Sequence, residues 1–156
     1  MSEQLPIESS KSAENEPSME YSKSSDGTIR IKILSSLGAT TQKGTWIIND
    51  QEKEPTEPVW PLITEKIEQI HERGDGGNIH HIMISPAVAI HLAFEEILTE
   101  EHFQNGEETA GYATFNNVTF TTPEGSKQMP LVVEHDMLHK RDGYDVLIMD
   151  IDNNIL

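Results

Sequence analysis

The chain has 156 residues, no cysteine, and 27 acidic against 11 basic residues, which gives a formal net charge of −16. The length suits one ordinary domain, and a second independent domain is not expected. The charge disfavours direct contact with nucleic acid or with anionic membranes. The absence of thiols excludes disulfides, zinc–thiolate sites and thiol catalysis.

No segment of the sequence has the features of a targeting or membrane element. The N-terminal residues lack the basic-then-apolar order of a signal peptide, and no apolar run approaches the roughly 20 residues that span a bilayer. We therefore expect a protein that is made in the cytoplasm and that does not contact membranes.

Residues 1–27 are rich in Ser, Glu and Pro and contain few apolar side chains. Such a composition buries too little apolar surface to offset the entropy of ordering. It predicts a disordered acidic tail. A partner-binding or processed arm is the functional alternative.

The next stretch, residues 28–49, has the alternation of β-strands. Ile29, Ile31 and Ile33 share one face of the first strand, and residues 45–49 form a second candidate strand. The two predict a β-hairpin. Residues 50–58 hold two prolines and four acids, which is typical of an exposed loop.

Two segments have the spacing of amphipathic helices. Residues 60–73 place four apolar side chains on one helical face, with a proline in the first turn and a glycine-rich turn at the end. Ser85 and Pro86 are a strong helix start, and this second helix is expected to continue to about Gln104.

Strands are predicted around the second helix, over residues 79–84, 112–120, 129–135 and 144–151. The last is the most hydrophobic and is expected to be central. This order predicts an α+β fold, with an antiparallel or mixed sheet backed by two helices. Residues 28–156 then form a single domain, in which residues 60–156 are the helix-backed sheet.

A metal site is the first chemistry to consider. His135 and His139 have an i, i+4 spacing, and Asp136 lies between them. Two histidines share a metal at this spacing only on one helical face, and the surrounding residues favour a loop. The pattern also lacks the glutamate that a metalloprotease uses as general base. Solvent-exposed histidines are the simpler interpretation.

Other histidines give no clear site. His80 and His81 are adjacent in a predicted strand, so their side chains are expected on opposite faces, where they cannot chelate together. His91 and Glu95 are spaced for a side-chain contact on a helix rather than for an acid–base pair.

Two further patterns fall short of known loops. Residues 74–77 have the glycines of a phosphate loop but not its Lys-Ser/Thr ending, and they predict a turn. Asp150, Asp152 and Asn153 are similar to the opening of a calcium loop, but no Gly and distal Glu follow them. We predict no catalytic, cofactor or metal residues.

The C-terminal half contains a recognisable order of motifs. A turn at residues 76–78 precedes a strand ending in Ile84-Ser85-Pro86 and a helix; a β region, the turn at residues 122–125 and strands at residues 130–137 and 145–152 follow. This order resembles the C-terminal half of tailed-phage and archaeal-virus major capsid proteins of the Hong Kong 97 type, and resembles their peripheral domain.

The resemblance implies a structural virion protein, a capsid-shell subunit that acts by self-association and has no catalytic pocket. Its partners would be copies of itself and other virion proteins, and it would be located in the virion. Trp46 and Trp60 are the predicted interface residues, although an aromatic ring on an amphipathic helix is more often core. A small acidic protein-binding adaptor or regulator is the main alternative, and a metal-dependent hydrolase is a minor one.

Overall fold

The computed structural model of the chain describes residues 19–41, 44–55, 57–135 and 146–156. Within these ranges it contains two five-stranded sheets and three α-helices, so the predicted α+β class is confirmed. The buried side chains of both sheets belong to one contiguous hydrophobic core. Residues 1–18, the larger part of the predicted tail, lie outside the described ranges.

The N-terminal sheet is an antiparallel meander whose strands are neighbours in chain order. The strands are β1 (Glu20–Lys23), β2 (Ile29–Ile33), β3 (Ser36–Thr40), β4 (Trp46–Ile48) and β5 (Gln51–Lys53). The predicted hairpin of residues 28–49 is wrong, because β3 lies between the two predicted strands. Both missed turns are two-residue turns of non-glycine residues with positive φ, at residues 34–35 and 49–50.

The predicted tail boundary at residue 27 is also wrong, because β1 pairs with β2. Tyr21 lies opposite Ile31 in this pairing. Its ring packs 5.4 Å from the ring of Phe103, and Met19 also packs against the core. These scattered apolar residues order the segment because a partner strand and a helix are available to cover them.

The second sheet is mixed and has the order β10-β6-β9-β8-β7. Its strands are β6 (His81–Ile84), β7 (Glu107–Thr109), β8 (Tyr112–Thr122), β9 (Gly125–Glu134) and β10 (Val146–Met149). β6 runs parallel to β9 and antiparallel to β10, while β8 is antiparallel to both β9 and β7. Helices therefore separate β6 from its parallel partner in sequence, as parallel pairing requires.

The most hydrophobic strand, β10, is at the edge of this sheet rather than at its centre. Val146, Ile148 and Met149 are nevertheless buried. The final residues run along its outer edge, where the backbone N–H of Leu156 donates to the carbonyl of Ile148 at 2.8 Å. The prediction of a central position is wrong because hydrophobicity reports burial and not the order of strands.

The first helix, α1 (Trp60–Glu72), has the predicted position and buries Ile63, Ile67 and Ile70. The second, α2 (Pro86–Phe94), begins at Ser85, whose Oγ accepts from the backbone N–H of Val88 at 3.3 Å. Residues 88–93 of α2 are all buried, and α2 contacts β2 and β3 on one side and β9 on the other. α2 therefore lies between the two sheets.

The prediction of one helix from Ser85 to Gln104 is wrong. A third helix, α3 (Glu100–Asn105), begins after a break in which Glu96 has a φ of 67°. The Glu95 carboxylate accepts hydrogen bonds from the backbone N–H groups of Val59 at 2.7 Å and Trp60 at 3.1 Å. These long-range bonds are available only once α1 has packed nearby, so the local sequence does not predict the break.

Candidate protein-binding surface

Both tryptophans predicted as interface residues pack within the chain. The ring of Trp46 lies edge-on to His91, with centroids 4.4 Å apart, and 5.2 Å from Phe94. The ring of Trp60 lies 5.1 Å from that of Phe120. Both residues are half-buried. Trp46 thus joins the N-terminal sheet to α2, and Trp60 joins α1 to the second sheet; their interface role stays a prediction.

The metal hypothesis rests mainly on residues that the structure does not describe. His135 is exposed at the end of β9, and its backbone N–H donates to the Gly111 carbonyl at 2.9 Å. Asp136 and His139 lie outside the described residues. In the described part of the chain, no group of three or more His, Asp or Glu side chains is placed to hold a metal ion.

The expectation for His80 and His81 is wrong. Their Nδ1 atoms lie 2.9 Å apart, with the ring planes at 88° to each other. His80 precedes β6, which begins at His81, so the alternation of a strand does not apply to this pair. The structure brings together two imidazoles that strand periodicity places on opposite faces.

His91 and Glu95 have separate roles. His91 is buried beneath Trp46, and this burial, together with the charge of Lys53, lowers the pKa of His91 to about 4. Glu95 holds the start of α1 through the two bonds described above. Both residues therefore serve the packing of α2 against its neighbours.

The two loop motifs have structural explanations. Residues 76–78 form a 3-10 turn, as predicted. The carboxylate of Asp150 accepts from the backbone N–H groups of Asp152 at 2.9 Å and Asn154 at 2.8 Å. These hydrogen bonds lower the pKa of Asp150, and the bond from the backbone N–H of Asn154 has the largest effect. This carboxylate thereby organises a turn at the end of the chain.

The outer face of the N-terminal sheet is the least expected surface of the molecule. In the register of its strands, Lys32 lies opposite Leu37 and Arg30 lies opposite Ala39. Ala39 also lies opposite Ile47 of the next strand. We call these five residues the outer face. Leu37 is 47% exposed and Ile47 is 37% exposed. The opposite face of the same strands holds the buried side chains of Ile29, Ile31, Ile33 and Ile48, and packs on α2.

The outer face has apolar residues at its centre and charges around them. A groove of about 530 Å³ lies over it, and Glu20 and Asp50 stand at its rim. In the described residues, neither Arg30 nor Lys32 is within ion-pair distance of a carboxylate. An apolar centre inside a charged rim is the usual anatomy of a protein-binding surface.

The charge of the chain is divided unevenly between its two regions. Residues 20–53 hold five Lys or Arg and four Asp or Glu, a net charge of +1. Residues 54–156 hold five Lys or Arg and 19 Asp or Glu, a net charge of −14. The outer face therefore belongs to the one region of the protein that does not repel an acidic partner.

Sequence reasoning did not find this surface. The predicted first strand has its basic residues on the face opposite Ile29, Ile31 and Ile33, but neither Leu37 nor Ile47 was assigned to a face. The signal that was present is the alternation Arg30-Ile31-Lys32, which places two cations on the solvent side of a strand in an acidic protein.

None of the helices in the described ranges has the length and apolar character that a bilayer span requires. No protein-family model, no curated protein and no solved structure matches the chain. The surface is therefore interpreted from its own chemistry.

Proposed function

We propose that the protein is a structural shell subunit of a virion and acts by self-association. The observation that carries the proposal is the outer face, an uncovered apolar and cationic surface on a chain whose net charge is −16. The order of motifs in residues 76–152 that resembles Hong Kong 97-type capsid proteins supports the same function. On this proposal the chain is made in the host cytoplasm and is incorporated into the virion.

The chemistry of the outer face defines the partner that would fit it. Such a partner presents an exposed apolar side chain beside carboxylates, so that Arg30 and Lys32 are neutralised while Leu37 and Ile47 are covered. An acidic copy of the same chain is therefore a natural candidate.

The exposed side of α1 has these properties. Leu62 is 43% exposed on this helix. Glu65 and Glu72 are also exposed and follow Leu62 by three and ten residues, which places both on the flank of Leu62 that faces away from Lys66. We assign this side of α1 as the surface that receives the outer face of a second copy.

Contact between two different surfaces of identical chains is heterologous. Such contacts propagate from copy to copy; they close into rings when the rotation between copies permits and otherwise continue as open filaments. Each subunit would then use its outer face toward one neighbour and α1 toward another. A shell subunit requires this property, whereas an isolated pair does not.

The first test is size-exclusion chromatography with light scattering on the full chain, at about 0.1 M and about 1 M salt, where the Debye length falls from about 10 Å to about 3 Å. We expect defined multimers in at least one of the two conditions, because high salt screens the repulsion between the acidic chains and also the attraction of Arg30 and Lys32 to partner carboxylates. A monomer under both conditions would contradict the proposal and would favour an adaptor that binds a different protein.

Variants locate the contact. Leu37→Asp combined with Ile47→Asp is expected to abolish the multimers, because two carboxylates would be buried without partners. The matched control, Thr119→Asp with Thr121→Asp, changes the net charge equally on exposed positions of β8 and should leave assembly intact. Equal loss in both variants would show that the effect is one of total charge.

Charge exchange tests the assigned partner surface. Arg30→Glu with Lys32→Glu should prevent association, and adding Glu65→Lys with Glu72→Lys should restore it. Adding Glu124→Lys with Glu134→Lys instead restores the same net charge at other positions and should not restore assembly. Restoration by both pairs would overturn the assignment to α1.

A further inference from the structure

The contact between His80 and His81 has no part in the proposed assembly surface. Their Nδ1 atoms are 2.9 Å apart, which is the separation of an N–H···N hydrogen bond. A neutral imidazole carries one proton on its two nitrogens, so one Nδ1 can donate while the other accepts. If both rings are protonated, two N–H groups point at each other and two positive charges are adjacent.

The pair lies where two strands and the final turn meet. The backbone N–H of His80 donates to the Met149 carbonyl at 2.8 Å, and Met149 is the register partner of His81. Asp150 follows directly and organises the terminal turn through its bonds with Asp152 and Asn154. A displacement of His80 is thereby transmitted to the end of β10.

We propose that His80 and His81 form an acid-sensitive latch, which holds the end of β10 and residues 150–156 against β6. The latch is closed while one Nδ1 donates a proton to the other, and it opens when both rings carry a positive charge. The first additional proton gives an N–H⁺···N bond that the Asp150 carboxylate stabilises. A second leaves two cations facing one carboxylate, which cannot neutralise both.

The two rings respond differently to that charge. His81 is 7% exposed, whereas His80 is exposed. His80 is therefore the ring that turns outward into water. Because its backbone N–H holds Met149, this movement weakens the pairing of β10 at its end, beside the exposed side chains of Ile151 and Ile155.

The direction of the pH effect follows from the environment of His81. Burial, and then the charge of His80, lower the pKa of His81 below its ordinary 6.5, while Asp150 acts in the opposite sense. Among the described residues these are the charged groups that act on it. The unfolded segment thus binds more protons than the folded one below pH 6.5, so the latch is closed above this value and opens as pH falls.

Hydrogen exchange of the full chain tests the latch directly. The backbone amides of His80, Asp150, Asn154 and Leu156 should lose about tenfold or more of their protection between pH 7 and pH 5, after correction for intrinsic rates. His80→Gln removes the second imidazole but leaves His81 buried, so the loss of protection between the two pH values should be clearly smaller than in the natural chain. His135→Gln, the removal of an exposed histidine that follows β9, should retain the response of the natural chain.

Nitrogen-15 NMR of the imidazoles supplies a second, independent readout. At pH 7 the pair should contain one ring protonated at Nδ1 with a shift of a hydrogen-bonded N–H, and this signal should be absent in His80→Gln. A natural chain whose C-terminal protection is the same at pH 7 and pH 5 would overturn the proposal. An equal loss of protection in His80→Gln, or the absence of the Nδ1–H signal, would do the same.

Discussion

The N-terminal sheet pairs only strands that follow one another in the chain, whereas the second sheet places Ile82 of β6 beside Leu131 of β9. The first therefore forms from local contacts, and the second requires a helical crossover and long-range closure. The two regions also differ in charge, near neutral against strongly acidic. One face of the N-terminal sheet packs on α2 and belongs to the core that both regions share. The other side of the same sheet is the outer face, which is left uncovered.

The N-terminal sheet and α2 meet at a tightly packed junction. A Cβ added at Gly38 on β3 would lie 2.4 Å from Cγ2 of Ile90 on α2. Another link crosses between the sheets, where the Leu34 N–H donates to the carboxylate of Glu108 at 3.2 Å. Changes that perturb this junction test whether the two sheets unfold as one unit.

The largest effect is expected from Gly38→Val. The added side chain would force β3 away from Ile90, and overpacking typically costs about 1–3 kcal/mol of unfolding free energy, with an approach this close at the upper end. Urea denaturation measures the change, and a single coincident transition would show that both sheets depend on the junction. The control, Ala39→Val, lies on the outer face and should change stability by less than about 0.5 kcal/mol. Equal destabilisation in both would contradict the packing described here.

Acid should weaken the same junction through His91. Its pKa is lowered to about 4 in the folded chain, against an ordinary value of 6.5. The unfolded chain therefore binds more protons in this window, and stability is lost as pH falls from 6.5 toward 4, by roughly 3 kcal/mol in all. Thermal and urea unfolding of His91→Gln over this range should show a smaller dependence on pH. An unchanged dependence would exclude His91 as its source.

A smaller effect, confined to the acidic region, is expected from Glu95→Ala. The substitution removes the acceptor for the backbone N–H groups of Val59 and Trp60, and hydrogen bonds to a charged group are worth about 2 kcal/mol. Glu68→Ala, at an exposed position within α1, is the matched control and should change stability by less than about 0.5 kcal/mol. Circular dichroism during urea unfolding measures both, and similar losses would contradict the role of Glu95.

Local chemistry was sufficient to predict several elements. The spacing of Ile63, Ile67 and Ile70 specified α1, and Ser85-Pro86 specified the start of α2. These features depend on residues within one or two turns of each other. Contacts between distant segments were not predictable in this way: β1 depends on Ile31 and Phe103, and the break after α2 depends on α1.

The outer face and the His80–His81 contact also combine residues that the local sequence places with residues that only the fold brings near. The sequence indicated that Arg30 and Lys32 share a strand face, but only the pairing of β3 and β4 placed Leu37 and Ile47 beside them. Strand periodicity likewise separated His80 from His81, and the observed contact arises because His80 lies just outside the strand.

The sequence by itself determined the α+β class, the acidic character and most helix and strand positions, because composition, periodicity and capping act over a few residues. The tertiary structure decided the order of strands, the division of one predicted helix into α2 and α3, and the face left open to solvent. These depend on which apolar surfaces cover each other, and that choice is made by the whole core rather than by any one segment.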